Sequence, residues 1–232
     1  MAMVKICGLK DAETVASVVR MPVDLIGFLF AASKRQVTPE QAGALVRIVR
    51  ERRETGHRVP LTVGVFVDPT MELLAETLKA APLDAVQLHG AESPAFCRAV
   101  RETFGIRVYR VFSVSESASA ADDDARTNAV AEALDPYAGC IDGLLLDTAG
   151  GGTGRTFEWS RIPHYAQWAR RAGVPLFVAG GLTPDNVAGL IEAYRPDGVD
   201  VSSGVETNGA KDITKIRDFV ERVKGHESHA GA

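Results

Sequence analysis

Short runs rich in Val, Ile, Leu and Phe recur along the chain, each followed by a stretch whose apolar positions return with helical spacing. Eight such units can be read. The strand segments are MVKIC (Met3 to Cys7), DLIGFLF (Asp24 to Phe30), LTVGVFV (Leu61 to Val67), DAVQLH (Asp84 to His89), RVYRVF (Arg107 to Phe112), DGLLLD (Asp142 to Asp147), PLFVAG (Pro175 to Gly180) and GVDVSS (Gly198 to Ser203). Most are apolar at nearly every position, the pattern of parallel strands covered on both faces. EQAGALVRIVRERRE and PAFCRAVRETF have the periodicity of covering helices. Thr38 before Pro39 and Glu40, Ser93 before Pro94, and Thr183 before Pro184 mark helix starts, each a capping side chain with proline in the first turn.

Eight β/α units with nothing left over for a second domain predict an α/β fold, a single-domain, eight-stranded parallel β/α (TIM) barrel spanning residues 1–225. Residues 226–232 read as a fraying tail. An open doubly wound sheet usually has fewer strands. SVSESASAADDD, Ser113 to Asp124, reads as a polar loop with solvated carboxylates, because no His or spaced ligand set accompanies the aspartates.

The 232 residues are 46% hydrophobic and 24% charged, ordinary globular composition for one substantial core. A formal charge of −4 and the lack of a basic stripe with interleaved aromatics argue against nucleic acid and leave a small molecule as the partner. Cys7, Cys97 and Cys140 have neither zinc spacing nor an even count for a disulfide framework, which fits a reducing compartment. No charged region followed by an apolar segment opens the chain, and no apolar run approaches the roughly 20 residues that span a bilayer, so a cytoplasmic protein without a membrane partner is expected.

Barrels of this kind carry their active sites at the carboxyl ends of the strands. Cys7 ends the first strand, Arg35 follows the second, His89 ends the fourth and Asp147 ends the sixth. Gly180 and Gly181 follow the seventh strand, Ser203 and Gly204 the eighth. Backbone N–H groups there, near helix N-termini, suit a phosphate. The AGGGTG run, Ala149 to Gly154, is able to fold over a phosphorylated substrate or to serve as a plain turn. No dinucleotide fingerprint is present.

Cys7 is either a small buried hydrophobe, the reading given to Cys97 and Cys140, or a base whose pKa of about 8.5 is lowered by nearby helix N-termini. Asp147 is either a turn carboxylate or an acid; to donate a proton near pH 7 it must be carried up from about 3.9, roughly 4 kcal/mol, by apolar burial and nearby negative charge. Arg35 offers a planar fork for a substrate carboxylate, with a surface salt bridge as the alternative. His89 reads as an end-of-strand residue held by hydrogen bonds, or as one lining the substrate.

The blocks KICG, GFLFAASKRQV, VGVFV, VQLHG, LLLDT, GGTGRTFEW, VAGGLTPDNV and GVDVSSGVE, in this order and over nearly the whole chain, resemble phosphoribosylanthranilate isomerase of tryptophan biosynthesis. The resemblance implies an Amadori rearrangement of N-(5-phosphoribosyl)anthranilate to 1-(2-carboxyphenylamino)-1-deoxyribulose 5-phosphate, with no metal or organic cofactor. It implies Asp147 as general acid at the ribose ring oxygen and Cys7 as general base at C2. Arg35 would hold the anthranilate carboxylate. Gly180, Gly181, Ser203 and Gly204 would form the phosphate clamp, joined by Gly154. Arg155 and Glu158 depart from the Lys and Asp more usual in that family.

Two rival readings stand beside it. The histidine-pathway isomerase performs the same rearrangement, but an aspartate would be expected at position 7, with a second phosphate site in the other half of the barrel. A non-catalytic phosphometabolite-binding barrel would not need both Cys7 and Asp147. The oligomeric state is read no further than monomer or homodimer.

Overall fold

In the computed structural model, which describes residues 1–114, 123–148 and 156–225, eight parallel strands close on themselves. They are β1 (Met3–Cys7), β2 (Leu25–Leu29), β3 (Leu61–Phe66), β4 (Ala85–Leu88), β5 (Arg107–Val114), β6 (Gly143–Thr148), β7 (Leu176–Val178) and β8 (Gly198–Val201). Each pairs with the next, and β8 returns to β1 with Lys5 opposite Asp200. Around them lie α1 (Ala12–Val18), α2 (Pro39–Glu54), α3 (Met71–Ala80), α4 (Pro94–Phe104), α5 (Asp123–Leu134), α6 (Ile162–Ala172), α7 (Pro184–Tyr194) and α8 (Ile213–Gly225). The expected barrel is the observed one.

The two faces of every strand are buried for different reasons. Outward residues such as Val4, Ile6, Ile26, Phe28, Leu144, Leu146 and Val199 join the helices' apolar stripes in one large core. A fully buried side chain of this size contributes about 1.5–3 kcal/mol, so this layer carries most of the stability. The inward residues Leu25, Val63, Ala85, Tyr109, Val111, Leu145 and Phe177 form a second, smaller cluster inside the barrel. Tyr109 and Phe177 meet edge to face with centroids 5.8 Å apart. Gly143 and Gly198 make room for them: a Cβ at Gly143 would lie 2.4 Å from the Tyr109 ring, and one at Gly198 would lie 2.3 Å from Phe177. Large rings opposite glycines fill the lower interior of the barrel.

Thr38, Ser93 and Thr183 occupy the N-cap positions of α2, α4 and α7, as expected. Thr38 and Gln41 form a reciprocal pair, with the Gln41 amide donating to the Thr38 side chain and the Gln41 side chain accepting from the Thr38 amide. The strand ends differ slightly from expectation. Val67, His89, Gly180 and Ser202 fall just past their strands, because the ladder stops where the backbone turns toward the helices.

The run from Ser113 to Asp124 is not wholly a loop. Ser113 and Val114 extend β5, paired with Asp147 and Thr148, and Asp123 and Asp124 open the first turn of α5. Carboxylates there complement the helix dipole. Asp123 also lies 3.5 Å from Nε2 of His164. Among the described residues, no three His, Cys, Asp or Glu side chains are grouped to hold a metal ion, and no helix is long and apolar enough to cross a membrane. The AGGGTG run with Gly154, Arg155, residues 115–122 and the tail 226–232 lie outside the described residues. Glu158 is exposed and accepts from the Ser160 hydroxyl at 2.8 Å.

Candidate active site

Period-two alternation turns Lys5 and Cys7 of β1 to the barrel interior, with Gln87 of β4, Asp147 of β6 and Asp200 of β8. Above the aromatic floor the interior therefore changes from apolar to polar. Cys7, Arg35, His89, Asp147, Gly180, Gly181, Ser203 and Gly204 all line one cavity of about 440 Å³. Gly27, opposite Cys7 on β2, lets the thiol into that layer: a Cβ there would stand 2.7 Å from Sγ. Cys97 and Cys140 belong to the outer core instead, so they remain structural, and burial pushes the Cys97 thiol up to about 11.

Asp147 is 8% exposed, and burial pushes its carboxyl up to about 6. The Thr148 amide, donating to Oδ1 at 2.7 Å, works against that rise, the charge of Asp200 adds to it, and Lys5 opposes it. Nε2 of His89 stands 3.5 Å from Asp147 Oδ2. Burial, with Lys5 and Arg110 nearby, pushes the imidazole below its ordinary 6.5, so at neutral pH it is largely uncharged and does not pull the Asp147 proton off. His89 is thus a neighbour of Asp147 as well as an end-of-strand residue.

The expectation that helix N-termini lower the Cys7 pKa is corrected. Burial pushes the thiol up; Lys5 opposes it, Asp200 adds to it and Lys211 opposes it. The cations come from side chains that sequence reading passed over. Lys5 donates to Asp200 at 2.8 Å inside the barrel. A visible signal existed: a charged residue interrupting an apolar strand, two positions before the cysteine.

Lys211 arrives on a hairpin that was also missed. Strands β9 (Glu206–Thr207) and β10 (Ala210–Lys211) pair antiparallel across Asn208 and Gly209, both left-handed at φ 53° and 78°. Asn-Gly between short extended segments is a strong hairpin signal. The hairpin presents Glu206 to Arg35, whose Nε and Nη2 both donate to its carboxylate, and Lys211 to the Ser202 carbonyl at 2.8 Å. Burial alone would raise Glu206, yet Arg35 and Lys211 outweigh it and hold the carboxyl at about 2. Arg35 is therefore in an ion pair, but a buried one at the cavity wall rather than on the surface.

The glycine segments are shaped by close packing. Gly180 and Gly181 have φ of 80° and 62°, and a Cβ on Gly180 would lie 2.3 Å from Thr148 Oγ1 and 3.0 Å from Asp147 Oδ1. A Cβ on Gly204 would lie 1.8 Å from the Leu182 carbonyl oxygen. Asn186 fixes the first segment, donating to Gly181 O at 3.0 Å and accepting from Thr183 N at 2.9 Å. Because backbone opposes backbone at Gly204, no rotamer change relieves the clash. Gly204→Ala should lower stability by about 1–3 kcal/mol, seen as a fall in Tm, and should weaken binding of inorganic phosphate. An unchanged Tm and phosphate affinity would show that the two segments are not held this closely.

Around the mouth the order is Asp147 above β6, the glycine segments above β7 and β8, Cys7 above β1, and Arg35 after β2. A carboxyl and a thiol thus flank an amide-rich end, with a guanidinium beyond the thiol.

The family described as N-(5'phosphoribosyl)anthranilate (PRA) isomerase matches residues 4–222. An N-(5'-phosphoribosyl)anthranilate isomerase of Brevibacillus brevis is 44% identical over 234 residues, which cover 99% of this chain and 97% of that one. Phosphoribosyl anthranilate isomerase from Thermotoga maritima has a TM-score of 0.77 at 34% identity, over 97% of this chain and 100% of the other. A phosphoribosyl anthranilate isomerase solved in complex with reduced 1-(o-carboxyphenylamino)-1-deoxyribulose 5-phosphate has a TM-score of 0.74 at 33% identity, covering 97% and 100%. With sequence and barrel both shared from end to end, the chain belongs to the N-(5'-phosphoribosyl)anthranilate isomerase family.

Proposed function

We propose that the chain rearranges N-(5'-phosphoribosyl)anthranilate to 1-(2-carboxyphenylamino)-1-deoxyribulose 5-phosphate, with Asp147 as general acid and Cys7 as general base. The observation that carries the assignment is their convergence on one cavity, on either side of the glycine segments of β7 and β8. A phosphate held by those backbone N–H groups places the ribose between the two side chains.

Asp147, partly protonated near neutrality, gives its proton to the ring oxygen while the nitrogen lone pair forms C1=N and the C1–O bond breaks. Cys7 as thiolate takes the C2 proton. The C2–H electrons form C1=C2 and neutralise the iminium nitrogen, leaving an enolamine. C1 then gains a proton, the C2 hydroxyl loses one, and the ketone results with no net change of atoms.

Arg35 reaches the anthranilate carboxylate with Nη1 while Nε and Nη2 hold Glu206. Arg35→Ala should raise KM by about 10- to 100-fold, the equivalent of about 1.5–3 kcal/mol for a hydrogen bond to a charged group. Glu206 keeps Lys211 as partner in that variant, so the fold should persist. An unchanged KM would remove Arg35 from substrate binding.

The test of the function is loss of anthranilate-derivative fluorescence with freshly prepared phosphoribosylanthranilate, run beside the histidine-pathway substrate. Turnover of the first is expected. Its absence in folded protein, or turnover of the second alone, would overturn the assignment.

A further inference from the structure

We propose that Lys5, held in place by Asp200, is the positioning residue that makes Cys7 a base. The inference rests on the assignment of Cys7 above, and it concerns a side chain that does not line the cavity. A lysine 2% exposed in the middle of an apolar strand is costly to bury and seldom improves on a hydrophobic residue for stability alone. Its geometry is specific. Lys5 lies two positions before Cys7 on the same face of β1, and directly opposite Asp200 in the β8 register, with Nζ 2.8 Å from Oδ2. Asp200 Oδ1 is buried without a hydrogen-bond partner among the described residues, so Lys5 compensates its charge.

The thiol needs such a neighbour. Burial disfavours the thiolate, and the charge of Lys5 is the largest opposing influence. The ammonium stays charged despite its own burial, because Asp200 and Cys7 both favour that form. The other charged groups around the site do not substitute for it. Lys211 on β10 is shared with Glu206 and Ser202, and Arg35 is paired with Glu206. His89 above β4 is largely uncharged, while Asp147 on β6 and Asp200 on β8 disfavour a thiolate when ionised. On β2 the residue against Sγ is Gly27, with no charge to offer. A lysine–thiol couple at the base of the cavity follows: burial keeps Cys7 mainly protonated, and the ammonium stabilises the fraction that has lost its proton to solvent, which takes the proton from C2.

Lys5→Met alone strands Asp200 as an unpaired buried charge, so the informative variant is Lys5→Met/Asp200→Asn, which removes both charges together. The readout is iodoacetamide alkylation of Cys7 against pH, followed by peptide mass spectrometry in the intact protein, beside the pH profile of kcat/KM. Alkylation of Cys7 at pH 7.5 should fall severalfold, with the basic-group limb of kcat/KM moving to higher pH and activity partly restored there; the loss of the Asp200 charge, which itself disfavours the thiolate, offsets part of the effect of losing Lys5. A purely structural role would lower Tm and leave both profiles in place. A folded double variant whose alkylation and rate profiles coincide with those of the parent overturns the proposal. Failure of the Cys7 assignment would look different: Cys7→Ser would keep turnover, whatever the thiol titration shows.

Discussion

Cys7→Ser and Asp147→Asn should each lower kcat by about 10² to 10⁴, the usual range for a positioned acid or base, with KM changed little. Serine keeps the shape of Cys7 but its hydroxyl does not ionise near neutrality, so the C2 proton has no acceptor. Asparagine keeps the size of Asp147 and has no proton to lend to a departing ring oxygen. The two losses fall on different steps and are separable. With substrate deuterated at C2, Cys7→Ser should show a larger isotope effect on kcat, because C–H cleavage becomes limiting. Asp147→Asn should show almost none, because ring opening becomes limiting. Steady-state kinetics on both isotopologues measures this. Parent-like kcat in either variant removes that residue from the mechanism.

The second large effect is on stability, and it runs opposite to activity. In the fold the Asp147 carboxyl ionises at about 6, against 3.8 when unperturbed. Between those values the native state holds more protons than the unfolded chain, so its contribution is full below 3.8 and is lost as pH rises through about 6. Above that, ionised Asp147 costs roughly 3 kcal/mol relative to low pH. Asn does not ionise. Asp147→Asn should therefore gain stability over the parent as pH rises, by up to about 3 kcal/mol between pH 4 and pH 8, while being nearly inactive. Urea unfolding of both proteins at pH 4, 6 and 8 measures the difference; a gap independent of pH would mean that burial does not perturb the acid. An active site that lowers stability in this way follows from placing a carboxyl where its protonated form is needed.

The barrel was readable because its signal repeats. Eight apolar runs alternating with amphipathic ones leave few ways to bury both faces of every strand, and Thr38, Ser93 and Thr183 mark helix starts through purely local hydrogen bonding. Cys7 and Asp147 were legible for the same reason, since a strand's last residue and the barrel's polarity together place a side chain at the mouth. Ser113 was misplaced because a polar residue at a strand end looks like loop until its partner, Asp147, is known. Lys5 and Asp200 are 195 residues apart, and their pairing depends on β8 meeting β1 in a register that neither strand encodes locally.

The chain's own pattern therefore specifies the repeat, the rim and the thiol and carboxyl group that stand on it, because periodicity and turn chemistry act over a few residues. Barrel closure settles the rest: which cation faces the thiol, that Arg35 is held by Glu206, and how far burial carries Asp147 toward neutrality. Those are electrostatic properties of groups distant along the backbone, and they come into being only when the closed barrel excludes water from between them.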